Sequence, residues 1–349
     1  MSLFRRRRPA PAEHPPDPAA PTPESVLASL SVDQLYDHLV GRLGFDSAGP
    51  GWSPALRELH KRSRERRLQL IPEFFYTPVL SPEQVPEAQW SARFDACGDF
   101  DLERQRGFLA ATPRFAEVLG TLPWDPPEDP SVFHWNNDQF SHSDASLYYT
   151  LLRRFRPKRV VEVGAGHSTK LAARALADNG SGTILCIDPH APRWLSTLGK
   201  RVEVIASPVQ EAADATFLSL GENDVLFIDG SHISKTGSDV NHLFLRILPR
   251  LPAGVVVHVH DICLPFEYPR RWSEDVLCYW NEQYVLAALL ANSRKFEILV
   301  GNYFLQMTDI ELLRPFGPSP AIAGVFPGGG SLWMRVGTSK RLAGRISCG

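Results

Sequence analysis

Residues 159–169 read Arg159-Val160-Val161-Glu162-Val163-Gly164-Ala165-Gly166-His167-Ser168-Thr169, and the fold is decided here. An apolar, β-branched run ends in two glycines, and helix-forming sequence, TKLAARALADNG, starts directly behind them and stops at Asn179-Gly180. The next strand follows as GTILCIDPH. Three more short apolar runs, RVEVIAS, DVLFIDGS and AGVVVHVHD, continue the alternation, with helical sequence from Asp239 to Leu248 between the last two. Strands that are apolar throughout and alternate with helices predict a parallel sheet covered on both faces, right-handed and doubly wound. After a helix from about Glu282 to Leu290, KFEILVGNYF and GGGSLWMRVG predict two paired late strands joined by a long Pro/Gly-rich loop.

Upstream the pattern is weaker. Residues 1–24 are a Pro/Arg-rich tail with too few apolar side chains to offset the entropy of ordering. Residues 25–130 read as a helical and irregular cap. It opens with apolar positions at helical spacing from Ser25 to about Phe45, continues through the basic segment Arg57, Lys61, Arg62, Arg64, Arg66 and Arg67, and then the FFYTPV run from Phe74. Pro-rich, loop-like sequence leads to about Pro130. Residues 131–349 carry the sheet domain. The basic segment reads as a solvated face in preference to an anion-steering patch.

Hydrophobic content of 43%, charged content of 22% and a net charge of -2 over 349 residues fit an ordinary globular protein and give no reason to expect nucleic acid as a partner. Five scattered cysteines without C-x-x-C spacing point to a reducing, cytoplasmic setting. Arg5 to Arg8 run into Pro9 with no apolar stretch behind them, and no later run is long enough to span a bilayer, so neither export nor a membrane is expected. Homo-oligomerisation stays open.

The glycine loop lets the backbone turn sharply beside a ligand at a helix N-terminus, with Ser168 expected as the N-cap. A dinucleotide loop would place a third glycine where Thr169 stands. Glu162, two residues before Gly164, would repel a pyrophosphate and attract an ammonium or sulfonium centre, which favours S-adenosylmethionine over NAD. Asp188 ends the next strand 22 residues beyond Gly166, where a carboxylate can accept both ribose hydroxyls; a structural Asp opening the turn Asp188-Pro189-His190 is the blander alternative. On the acceptor side, Asp229-Gly230-Ser231-His232 ends one strand and His260-Asp261 the next, so these groups should face the same crevice. His232 is the expected general base for a hydroxyl proton, with Asp229 beside it, whereas His258 reads as a satisfied core histidine. Asn281 to Tyr284 read as lid or acceptor-pocket residues, and His134, Trp135 and Asn136 as a segment closing over the cofactor.

The runs EVGAGHST, CIDPH, DVLFIDGSHISKTGSDVNHLFLRILPRLPAGVVVHVHDICLPFEYP, WNEQY and GGGSLWMRV together resemble bacterial class I S-adenosylmethionine-dependent methyltransferases of the methyltransferase-24 type, over roughly residues 131–338. The resemblance implies an α/β, mostly parallel, seven-stranded Rossmann-like sheet whose last strand is antiparallel. It places the methionine end of the cofactor near Glu162, Gly164, Ala165, Gly166 and Ser168, the ribose at Asp188 and Pro189, and the adenine near Ser207 and Gln210, with Asp229 reaching the same site. Ser168 stands where the family commonly has a third glycine of its own. The implied activity is methyl transfer to a hydroxyl or amine of a small natural-product, sugar or amino-acid-derived acceptor. An NAD-dependent oxidoreductase and a catalytically silent binding module are the alternatives.

A divalent metal is a further expectation. Adjacent strands lie about 4.8 Å apart, so Asp229 and Asp261 at neighbouring strand ends can reach one cation, magnesium or manganese by ligand hardness, with His260 as a third ligand. This resembles the metal-dependent sugar O-methyltransferases of macrolide biosynthesis, from which the chain departs by having His260 in place of a carboxylate.

Overall fold

The computed structural model describes residues 31, 34, 54–65, 77–79, 81–140, 142–291, 293–317 and 328–337. The tail over 1–24, most of the lead-in over 25–45, Arg66 and Arg67 of the basic segment and the first half of the FFYTPV run lie outside these residues. The chain divides into two compact units, Met1–Leu80 and Ser81–Gly349. In the first, helix α1 (Pro54–Glu65) exposes Lys61, Arg62 and Arg64, and Arg62 donates to Glu58 at 2.7 Å, as a solvated basic face should.

In the second unit, residues 81–130 are less loop-like than their prolines suggest. Helix α2 (Leu102–Ala110) starts at Asp101, whose carboxylate accepts from the Arg104 amide at 2.9 Å. It buries Gln105 and Leu109, four residues apart on one face. Helix α3 (His142–Phe155), in a stretch to which the sequence pattern assigns no element, carries the fully buried Leu147, Tyr148, Leu151 and Leu152.

Seven strands follow: β1 (Arg159–Val163), β2 (Thr183–Ile187), β3 (Val202–Ile205), β4 (Val225–Ile228), β5 (Val256–Val259), β6 (Phe296–Gly301) and β7 (Leu332–Val336). Their order is β3-β2-β1-β4-β5-β7-β6. β1 to β5 run parallel, and β7 lies antiparallel between β5 and β6, as expected. Helix α4 (His167–Asn179) ends at Gly180, whose φ of +74° is the left-handed stop the Asn-Gly pair calls for.

Pleat alternation sends Val160, Cys186, Val225, Phe227 and Val256 to one face, under α3 and α4. Val161, Val163, Leu226, Ile228, Val257 and Val259 go to the other, under the helical run 239–250 and α5 (Glu282–Ala291). Both faces are therefore dry, the reason the parallel strands read as apolar throughout. The strand order reverses between β1 and β4, which opens a crevice at their carboxyl ends. Ladder bonds fix what lines it: the Gly164 amide donates to Ile187 at 3.1 Å, Asp229 to Val163 at 2.9 Å and His260 to Ile228 at 2.9 Å. Among the described residues no helix is long and apolar enough to cross a membrane.

Candidate active site

The loop after β1 is tightly built. Gly164 has φ +82°, and a Cβ there would run into the Asp229 carbonyl, so the backbones leaving β1 and β4 can lie this close only with glycine. The Ala165 amide donates to Asp188 Oδ2 at 3.0 Å, and the His190 amide to Asp188 Oδ1 at 2.7 Å. Asp188 thus braces both strand-end turns, while two oxygens with about four acceptor sites leave lone pairs for a ligand. The sequence expectation of Ser168 as N-cap is corrected: the cap is Gly166, and Ser168 lies inside the first turn, buried. Gly166 has no side chain, so capping runs one way, from its amide to Thr169 Oγ1 at 3.1 Å. Thr169, where a dinucleotide loop would carry glycine, is fully buried.

Glu162 sits on β1 with no exposed surface. Its Oε2 is 3.6 Å from Cys186 Sγ, and Oε1 makes no hydrogen bond of ordinary geometry among the described residues. Burial pushes its carboxyl up to about 7, against the nearby hydroxyls of Ser168 and Thr169 and the Cys186 thiol, with Asp229 adding to the rise. A buried acid with an unsatisfied oxygen beside an open glycine loop suits a cationic ligand group. Pro189 is exposed at the loop, Ser207 is half-buried, and the exposed Gln210 donates to the Gly237 carbonyl at 2.7 Å.

Across the crevice His232, with φ +57° and 6% exposure, sits among three carboxylates. Its Nδ1 is 2.7 Å from Glu282 Oε2, and its Nε2 is 3.2 Å from Asp229 Oδ1 and 3.8 Å from Asp261 Oδ2. Burial opposes charge on the ring, but Asp229 and Glu282 outweigh it and hold the imidazole well above its ordinary range. Asp229 is likewise disfavoured as an anion by burial, yet the His260 and His232 imidazoles keep it below the usual carboxylate value. Trp280 covers the His232 ring at 4.3 Å. The backbone of Ser234 and the side chain of Asn281 tie this loop down, with Ser234 N donating to Asn281 Oδ1 at 2.5 Å.

Glu282, fully buried at the start of α5, is the partner of His232 that sequence reasoning took for a lid or acceptor-pocket residue. The WNEQY run was its signal. Gln283 is structural: its Oε1 accepts from the Cys263 amide at 3.1 Å and its Nε2 reaches Glu267 at 3.2 Å. Tyr284 is exposed and donates to Glu267 at 2.5 Å.

The expected cation ligands are rearranged. Among the described residues the group able to share an ion is Asp229, His232 and Asp261, with ligand atoms within 4.8 Å of one another. His260 stands outside it. Its Nε2 points to the Gln139 carbonyl at 3.4 Å and its ring packs on Phe140 at 5.1 Å, on the same pleat face as Phe227 and His258. His258 is a core residue bonded to Ser331 Oγ at 2.8 Å, as expected.

Residues 161–262 match the family model described as a methyltransferase domain. An uncharacterized protein of Archaeoglobus fulgidus is 27% identical over 168 residues, spanning 44% of this chain and 74% of that protein. Among solved structures, an O-methyltransferase of Streptomyces achromogenes involved in tomaymycin synthesis, in complex with S-adenosylmethionine, is similar at 18% identity, covering 56% of this chain and 79% of that one with a TM-score of 0.34. An O-methyltransferase of Bacillus cereus in complex with S-adenosylhomocysteine follows at 13% identity, covering 68% and 92% with a TM-score of 0.35. Scores this low carry nothing about chemistry or acceptor. The matched segment begins on β1 and ends just past Asp261, so the part of the chain that is similar to a methyltransferase domain contains the glycine loop and the strand-end carboxylates Asp188, Asp229 and Asp261 of the crevice.

Proposed function

We propose that the chain moves the methyl group of S-adenosylmethionine to a hydroxyl oxygen of a small polar acceptor, and that His232 receives the acceptor's proton. When bound, the cofactor supplies a methyl group on a positively charged sulfur. Glu162 faces its ammonium end and Asp188 its ribose, while Ser207 and Gln210 border the adenine. The observation that carries the acceptor side is the orientation of His232: Glu282 takes Nδ1–H at 2.7 Å and turns Nε2 into the crevice beside Asp229. The Asp229 contact favours a proton on Nε2, so the ring must first leave that proton with Asp229; an acceptor hydroxyl that then replaces Asp229 as the partner of the neutral Nε2 can pass its own proton there as the oxygen attacks the methyl carbon, and Trp280 keeps water off the ring.

The test is transfer of isotopically labelled methyl from the cofactor to a panel of hydroxylated and amino acceptors. Wild type should label oxygen. His232→Ala should cost about 10²- to 10⁴-fold in rate with cofactor affinity unchanged. Label on nitrogen, or full activity of His232→Ala, would overturn this reading.

The cluster of Asp229, His232 and Asp261 favours a second reading, in which the three hold a divalent cation that binds the acceptor oxygen. The two uses exclude each other at Nε2, since one lone pair cannot both bind a cation and take a proton. Titration with manganese alone separates them. Saturable binding abolished by Asp261→Asn supports the cation, and no binding leaves His232 as a metal-free base.

A further inference from the structure

Between β5 and α5 the chain forms a short helix, Arg270–Glu274, and a turn closed by two backbone bonds: the Asp275 amide donates to the Arg271 carbonyl at 2.9 Å and the Cys278 amide to the Trp272 carbonyl at 2.8 Å. Arg270 anchors it from outside, donating to Glu274 at 2.7 Å and to Glu87 at 2.6 Å. The aromatic side chains of this segment are in mutual contact. Tyr268 lies 5.6 Å from Trp272, Trp272 meets Trp280 edge-on at 5.2 Å, and Trp280 covers His232 at 4.3 Å, so a row of rings runs outward from the imidazole. The Cys278 thiol is within electrostatic reach of Asp261 and His232, which sets the turn at the mouth of the crevice. There Val276 and Leu277 are 63% and 64% exposed, and Leu277 is held at φ +58°. Left-handed backbone is rare for a branched apolar residue, and two adjacent apolar side chains in water beside an aromatic row mark a surface that a ligand covers.

Charge narrows what that ligand can be. Three carboxylates, Asp229, Asp261 and Glu282, surround the one imidazole of His232, and Glu274 and Asp275 are exposed on the turn itself. An acceptor carrying a carboxylate or phosphate would meet net repulsion. Of the two arginines on the short helix, Arg270 is held by Glu87 and Glu274, and Arg271 lies toward Cys263 and Tyr303. A sugar would bring several hydroxyls that need polar partners, and the side chains of Val276 and Leu277 offer none. We propose that Trp272, Val276, Leu277 and Trp280 form the binding wall for the acceptor, and that the acceptor is a hydroxyl-bearing aromatic compound with no acidic group. Its rings lie against the wall while its hydroxyl reaches His232. The inference deepens the reading of this crevice as a hydroxyl-methylating site and rests on it.

Calorimetry on the full chain with S-adenosylhomocysteine present tests it with three probes: 2-naphthol, 2-naphthoate, which keeps the rings but carries a carboxylate, and methyl β-glucopyranoside, which has hydroxyls and no ring system. 2-Naphthol should bind saturably, and 2-naphthoate about 10-fold or more weaker because of the surrounding carboxylates. The glucoside should bind weaker still. Trp272→Ala and Leu277→Ser should each weaken 2-naphthol by about 10-fold and leave the affinity for S-adenosylhomocysteine unchanged, whereas Trp272→Phe, which keeps a ring, should retain part of the affinity. Leu277 is exposed, so its substitution keeps the test decisive even where loss of Trp272 disturbs the fold. Absence of saturable 2-naphthol binding, tighter binding of either other probe, or a 2-naphthol affinity that neither substitution changes would overturn the aromatic wall. Failure of the hydroxyl-methylation reading shows separately, in the labelled-methyl assay, and leaves this pattern of probe binding as it is.

Discussion

If Glu162 faces the positive end of the cofactor, as proposed, it should make cofactor affinity depend on pH in a defined direction. Its carboxyl stands at about 7 in the folded chain against an ordinary 4.5, and the displacement corresponds to about 3 kcal/mol for a fully buried group. Because the folded value is raised, the stabilisation by the neutral acid is complete below 4.5 and is lost as pH climbs to about 7, where the fold bears the cost of a buried anion. A cationic cofactor facing Glu162 reverses the preference, since it selects the carboxylate. Affinity should therefore rise with pH and level off above about 7. If the bound carboxyl ionises well below the assayed range, S-adenosylmethionine should bind about 10-fold more weakly at pH 6 than at pH 8, and about 30-fold more weakly at pH 5.5. Calorimetry in buffers of different ionisation enthalpy should show one proton released per cofactor at pH 6 and none at pH 8.5. Glu162→Gln, a near-isosteric neutral side chain, should bind weakly and with a flat profile. A flat profile in wild type, or proton uptake on binding, would refute the pairing of Glu162 with the cofactor's positive charge.

Gly164→Val should abolish binding of S-adenosylhomocysteine, because φ +82° and the Asp229 carbonyl leave no place for a side chain; wild-type affinity in a titration would contradict the close approach of β1 and β4. Asp188→Ala removes the brace on Ala165 and the proposed ribose acceptor together, and each lost bond to the carboxylate costs about 1.5–3 kcal/mol, read as a weaker Kd with a smaller change in Tm. Phe227→Ala empties a fully buried position stacked on His258 at 4.3 Å, and denaturant unfolding should show a loss of about 3–5 kcal/mol.

What sequence discloses here is what is local along the chain. The β1 run, the glycine turn and the stop at Asn179-Gly180 each act within a few residues, and all three stand where their spacing places them. Asp229, His232 and Asp261 also follow locally, because parallel strands ladder residue by residue and bring the ends of β4 and β5 side by side. Helix α3 went unassigned although Ser143, Ser146, Thr150 and Arg153 recur at helical spacing; in the fold Ser143, Ser146 and Thr150 are buried along with Leu147, Tyr148, Tyr149, Leu151 and Leu152. As a third cation ligand His232 fits the geometry better than the expected His260, although His260 Nε2 also stands 3.8 Å from Asp261 Oδ1. His260 precedes Asp261, but the pleat carries its ring to the Phe227 face, while His232 swings into the crevice through a left-handed backbone that no propensity scale favours for histidine.

Glu282 shows where such reading stops. It lies 50 residues beyond His232, and nothing in either local pattern pairs them. The pairing arises because the chain, after leaving β5, crosses the crevice and returns as α5, where Asn281 and Glu282 both donate their amides to the His232 carbonyl at 3.1 Å. Those two bonds fix the start of α5 against the turn after β4, and the Glu282 carboxylate has then no solvent and one charged partner within reach. A carboxylate so enclosed persists only if its partner shares the charge, so the same contact that holds Glu282 in the fold fixes the tautomer and direction of His232.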